Sequence, residues 1–139
     1  MPWDQASARR VLALSALGLL VGGCTSATEQ EAQRFLSAVH ADPLYSWRPG
    51  WVTKEATSES TAGLGVAAET RTEVSRALNG GGMPSDAIGI ATSYVYSVGW
   101  MQASSGLINK YVVTDGVEVR LTVRIYLYGA TQLIIDFTD

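Results

Sequence analysis

Side chains able to do chemistry are sparse in this chain, and their spacing limits the chemistry available. There is one histidine, His40, and one cysteine, Cys24. A structural zinc ion takes four nitrogen, sulfur or oxygen ligands. With no second histidine, and the only thiol given another role below, no metal site is expected, and His40 reads as a surface or boundary residue. A serine nucleophile on an elbow needs G-x-S-x-G, and no such run occurs. Gly80-Gly81-Gly82 leads towards a helix start, as a phosphate cradle does. It lacks the Lys-Ser/Thr of a P-loop, and Asp86 would repel an anion there, so it reads as a flexible loop. The carboxylates are scattered, without a pair suited to glycoside chemistry. The expectation is a protein without enzymatic activity, without a cofactor and without a metal.

One constellation does point outward. Arg120, Arg124, Tyr126 and Tyr128, together with Lys110, fall on the polar side of alternating segments. Arginine and tyrosine are enriched where proteins grip partners. The plainer reading is a solvated strand face carrying an Arg124–Asp136 cross-strand pair, or a face covered by the long loop. Trp47 and Trp51 offer a second candidate. They either pin a loop to the core through buried aromatic area, which is favoured, or form an exposed recognition patch.

The cysteine has a more specific context. RRVLALSALGLLVGGC, residues 9–24, has a positive start, a short apolar segment and small residues before Cys24, which describes a secretory signal peptide. The apolar segment is shorter than the roughly 20 residues of a membrane span. Leu20-Val21-Gly22-Gly23-Cys24 resembles the lipobox of bacterial lipoproteins. A free cysteine closing a buried helix would explain neither the paired arginines nor the two glycines. The resemblance implies that the Cys24 thiol receives a diacylglyceryl group, that cleavage removes residues 1–23, and that the new amine is often acylated. Residues 24–139 would then be a single mature domain, lipid-anchored on the extracytoplasmic face of the cell membrane. Two or three acyl chains satisfy the requirement for stable anchoring. Arg9-Arg10 only partly matches a twin-arginine signal, because Ser7 sits one place too early, and ordinary Sec export is preferred. The remainder is similar in general pattern to small lipoproteins of actinobacteria, which implies a location and no activity.

Bulk composition agrees with one globular domain. The chain has 139 residues, 47% hydrophobic and 17% charged, with net charge −3, enough for a core and too few residues for two ordinary domains. No basic block is present, so nucleic acid is not an expected partner. A single cysteine forms no internal disulfide, and packing must hold the fold. A monomer is expected.

The elements follow from periodicity. Thr28 and Glu31 suit a capping box, and Ala32, Phe35, Leu36 and Val39 mark one helical face that Pro43 ends near Ala41. Only Thr25–Ala27 separate that helix from Cys24, a reach of little more than about 10 Å. The domain would therefore lie against the bilayer, where the tryptophans could also enter the headgroup region. Residues 44–65 read as a long loop. Residues 66–78 fit helix or strand, with strand slightly favoured. A second helix follows Pro84, with Ser85 as N-cap and Gly99 beyond its end. Val117 to Leu127 alternates strictly, and Leu133, Ile135 and Phe137 continue the apolar face after a three-residue loop, which sets Arg124 opposite Asp136. At Asp115-Gly116 a three-residue loop is preferred, because a two-residue turn would send Lys110 into the core and turn Tyr111 and Val113 out. The expected fold is α+β, an antiparallel sheet of three or four strands with two helices on one face.

The function expected is a lipid-anchored envelope protein presenting a binding surface to another envelope component. Alternatives are a carrier or sensor of a small apolar ligand held between sheet and helices, or an exclusion lipoprotein encoded by a phage or mobile element.

Overall fold

The computed structural model describes residues 27–60 and 72–139. The chain separates into two compact units, residues 1–31 and 32–139, and of the first only the opening of helix α1 is described. The signal and lipobox residues, Cys24 among them, lie outside the described residues, as does the ambiguous stretch 66–71.

The order of elements is α1 (Ala27–Ala41), α2 (Pro43–Ser46), β1 (Lys54–Ser60), β2 (Glu73–Asn79), α3 (Ala87–Ser97), β3 (Met101–Gln102), β4 (Ile108–Thr114), β5 (Val117–Leu127) and β6 (Gln132–Thr138). All six strands among the described residues join one antiparallel sheet in the order β1-β2-β6-β5-β4-β3. This corrects the expected α+β fold of three or four strands with two helices: the protein is mostly β. The strands that escaped notice have a physical reason for doing so. β1, Lys-Glu-Ala-Thr-Ser-Glu-Ser, is a polar edge strand with no buried residue, so nothing in it alternates in hydropathy. β3 has two residues, too few to show a period. The polar stretch taken for a long loop thus holds the outer strand of the sheet, preceded by the single turn of α2.

One face of the sheet carries the core. Val74, Phe137 and Val123 form one cross-strand row, and Arg76, Ile135 and Ile125 the next. Phe35 and Val39 of α1, Leu44 of α2, Ala91 and Val95 of α3, and Trp100 pack onto these rows. Phe35, Leu44, Trp100 and Phe137, all fully buried, fill the space between sheet and helices. The sequence face of α1 holds, since Ala32, Phe35 and Val39 are buried. The N-cap of α3 is Asp86 rather than Ser85, without a side-chain capping bond, and Gly99 beyond the helix takes the left-handed φ of +100°.

The two hairpins of the C-terminal meander divide the expectations. Between β5 and β6, Leu127 faces Leu133, Ile125 faces Ile135 and Arg124 faces Asp136, the register that burial of the apolar set requires. Between β4 and β5, Thr114 pairs directly with Val117. The loop is the two-residue turn set aside from sequence, with Asp115 at φ +54° and Gly116 at φ +75°, the signature of type I′. Lys110 accordingly faces the helices, while Tyr111 and Val113 point away from them and are exposed. A lysine is tolerated there because a partner waits for it: Lys110 Nζ donates to Asp42 Oδ2 at 2.6 Å and to the Val98 carbonyl at 2.7 Å.

Candidate interaction surface

Strand periodicity of two residues puts Arg120, Arg124 and Tyr126 of β5 on the face of the sheet opposite the helices. The registers extend that face into rows. Tyr126 lies beside Ile134, Ala77 and Ala56. Arg124 lies beside Asp136, Ser75 and Ser58. Arg120 lies beside Tyr111, and Glu118 beside Val113. Tyr128 continues the series just past the strand, where its N–H donates to the Gln132 carbonyl. From Arg120 to Tyr126 the series spans about 20 Å at the usual strand rise.

Arginine and tyrosine meet on this face. Arg124 Nη2 donates to Asp136 Oδ2 at 2.7 Å, and its guanidinium carbon stands 5.5 Å from the Tyr126 ring centroid. Hydrogen bonding to Asp136, with the attraction of its negative charge, holds the Arg124 guanidinium above its ordinary pKa. Asp136 itself is buried, and its Oδ1 has no hydrogen-bond partner among the described residues. Arg120 makes no ion pair among the described residues and remains exposed. Thr122 Oγ1 donates to Asn109 Oδ1 at 2.8 Å, tying β5 to β4 between the two arginine rows. Met101, Tyr111 and Val113 add exposed apolar groups at the β3–β4 end.

The other residues singled out from sequence lie elsewhere. Lys110 is on the helix side, so it leaves the constellation. Trp47 and Trp51 are half-buried against the core cluster, on the helix side of the sheet. Trp47 stacks on Tyr94 of α3 at 5.1 Å between ring centroids, and Trp51 is packed over Gly80, its carbonyl oxygen where a Cβ of residue 80 would stand. Both act as loop anchors and neither rims the open face. His40 Nε2 donates to Glu59 Oε2 at 2.7 Å, a link from α1 to β1 at the surface.

Two internal ionic clusters were not foreseen. Arg76, 1% exposed, donates through Nε and Nη2 to Glu55 Oε2 and through Nη1 to the carbonyls of Leu44 and Trp47. Asp42 receives the Leu44 N–H and Trp100 Nε1 on Oδ1 and Lys110 on Oδ2. Alternation in β2 could have flagged Arg76, which falls between Val74 and Leu78. Both clusters brace the segment 42–47 and present no free reacting atom. Among the described residues no group of three or more His, Cys, Asp or Glu could hold a metal ion, and no helix is long and apolar enough to cross a membrane.

The chain matches no protein-family model, no curated protein and no solved structure. The geometry of the open face therefore stands alone.

Proposed function

We propose that this protein is a lipid-anchored envelope protein, held in the membrane through Cys24, whose open sheet face binds another envelope protein. The single observation that supports the reading is the row of Arg120, Arg124, Tyr126 and Tyr128 on a face that no helix among the described residues covers. Arg120 is laddered to β4, and Arg124 and Tyr126 to β6, so the backbone that carries them is already extended before binding. Preorganised aromatic and guanidinium groups of this type suit a protein surface with its own carboxylates and aromatic rings. The lipobox resemblance supplies the location.

The test uses full-length protein in its own membranes, with a photo-reactive residue in place of Tyr126 or of Trp47. Cross-linking to a distinct protein is expected from position 126 and not from position 47. Arg120→Ala with Tyr126→Ala should lower the yield at position 128 about tenfold, equivalent to about 1.4 kcal/mol of binding. Cross-linking from position 47 alone, in a folded protein, would assign the partner to the loop instead.

A further inference from the structure

β3 covers only the beginning of β4. It pairs at Ile108 and Asn109, and the chain then leaves the edge through Gly99 at φ +100°. From Lys110 to Thr114, β4 is bonded to β5 on its inner side and to no strand among the described residues on its outer side.

The turn decides which backbone groups face outward. Across a two-residue loop, Thr114 and Val117 exchange both hydrogen bonds, and bonding alternates from there. Val112 and Lys110 therefore bond towards β5, whereas Tyr111 and Val113 direct their N–H and C=O outward. The Ala103 N–H bond to the Leu107 carbonyl, 2.7 Å on the same edge, has the same parity. Edge strands that stay unpaired in solution are guarded by charges, proline or a bulge. Tyr111-Val112-Val113 has none of these, and Tyr111 and Val113 are 59% and 71% exposed. Lys110, the cation next to them on β4, is turned inward to Asp42 and the Val98 carbonyl, and Arg120, beside Tyr111, belongs to β5 on the inner side.

We propose that β4 pairs with β4 of a second copy, antiparallel, about a two-fold axis at Val112. This goes beyond the open-face reading and does not depend on it. In this register Tyr111 of each copy faces Val113 of the other, and the outward N–H and C=O groups of both residues satisfy one another. A two-fold at Tyr111 would set Val113 against Asn109, which β3 already occupies. A two-fold at Val113 would set Tyr111 against the turn at Asp115.

The side chains agree with that register. On the open face each row would run Glu118, Val113, then Tyr111 and Arg120 of the second copy, following the rows of the single chain. Opposite charges thus close the two ends of an apolar contact, and no like charges are opposed. On the helix side Val112 would meet Val112 beside a groove of about 370 Å³, lined in part by Ala38, Ala41 and Pro43. The small side chains there leave room for an added strand.

The test places a single cysteine at the axis of the full-length protein, in its own membranes under mild oxidation. Antiparallel residues that do not exchange hydrogen bonds have Cα atoms about 4.5 Å apart, within disulfide reach. Val112→Cys should give about tenfold more disulfide dimer than Thr57→Cys on β1, with wild-type protein reporting any contribution of Cys24. Tyr111→Cys and Val113→Cys, expressed together, should join to each other in preference to themselves. Val113→Pro, which removes an outward N–H and no bond to β5, should abolish the Val112→Cys dimer while leaving a cooperative thermal transition. The proposal is overturned if Val112→Cys stays monomeric, links as poorly as Thr57→Cys, or forms its disulfide with a different protein.

Discussion

Lys110 shows how a single residue can defy a sound sequence argument. Charge avoidance in the core excluded it from the helix side, and that exclusion chose the wrong turn. Its partner, Asp42, lies 68 positions away, a separation no local pattern reports. Once both are in place the arrangement is self-consistent, because Asp42 also accepts the Leu44 N–H and the Trp100 indole N–H. Removing one member of a buried pair leaves the other's charge uncompensated. The Asp42 side chain is 1% exposed and that of Lys110 18%, so Lys110→Met should destabilise the protein by about 3 kcal/mol. Urea denaturation followed by tryptophan fluorescence measures it. Arg124 and Asp136, by contrast, were legible from sequence, because hairpin parity alone sets them opposite each other. The open-face residues of β5 were legible for the same reason, whereas Trp47 and Trp51 could only be read as candidates until their packing was known.

At the scale of elements, legibility follows amphipathicity. β5, β6 and α1 each separate an apolar from a polar side, and each was found. β1 is polar on both faces, being an edge strand, and its conformation is set by pairing with β2 rather than by any preference of its own. The glycine run after β2 was read as a flexible loop, yet its first member has a steric task. Gly80 is buried, its N–H donates to the Thr131 carbonyl at 3.0 Å, and a Cβ there would fall on the carbonyl oxygen of Trp51. Since the obstacle is backbone, it cannot rotate aside. Gly80→Ala should therefore destabilise by about 2 kcal/mol, whereas Gly81→Ala, with open space around its Cα, should be close to neutral. A thermal transition lowered by roughly 8 °C in the first variant alone is the expected outcome.

For the whole molecule, the six-stranded sheet exceeds the sequence estimate because the count rests on strands that carry no core residues. The residues that bear on location, 9–24, lie outside the described fold. Cys24→Ser should abolish incorporation of a fatty-acid probe and release the protein from the membrane fraction, or leave it as the uncleaved precursor. A wild-type protein that takes up no label, with membrane retention unchanged in the variant, would refute the lipid anchor.

The position of β6 bears on the order in which the chain can close. It stands between β2 and β5 and is the strand through which the β1–β2 hairpin joins the β3–β4–β5 meander. Among the described strands, the one that joins the two halves of the sheet is thus also the latest in sequence. A nascent chain lacking residues 132–138 has two half-sheets with no shared ladder, and Leu133, Ile135 and Phe137 are missing from its core. Such a chain is kept from closing during translation. For the export proposed above, that is the condition in which a polypeptide threads through a translocase that accepts only unfolded substrates.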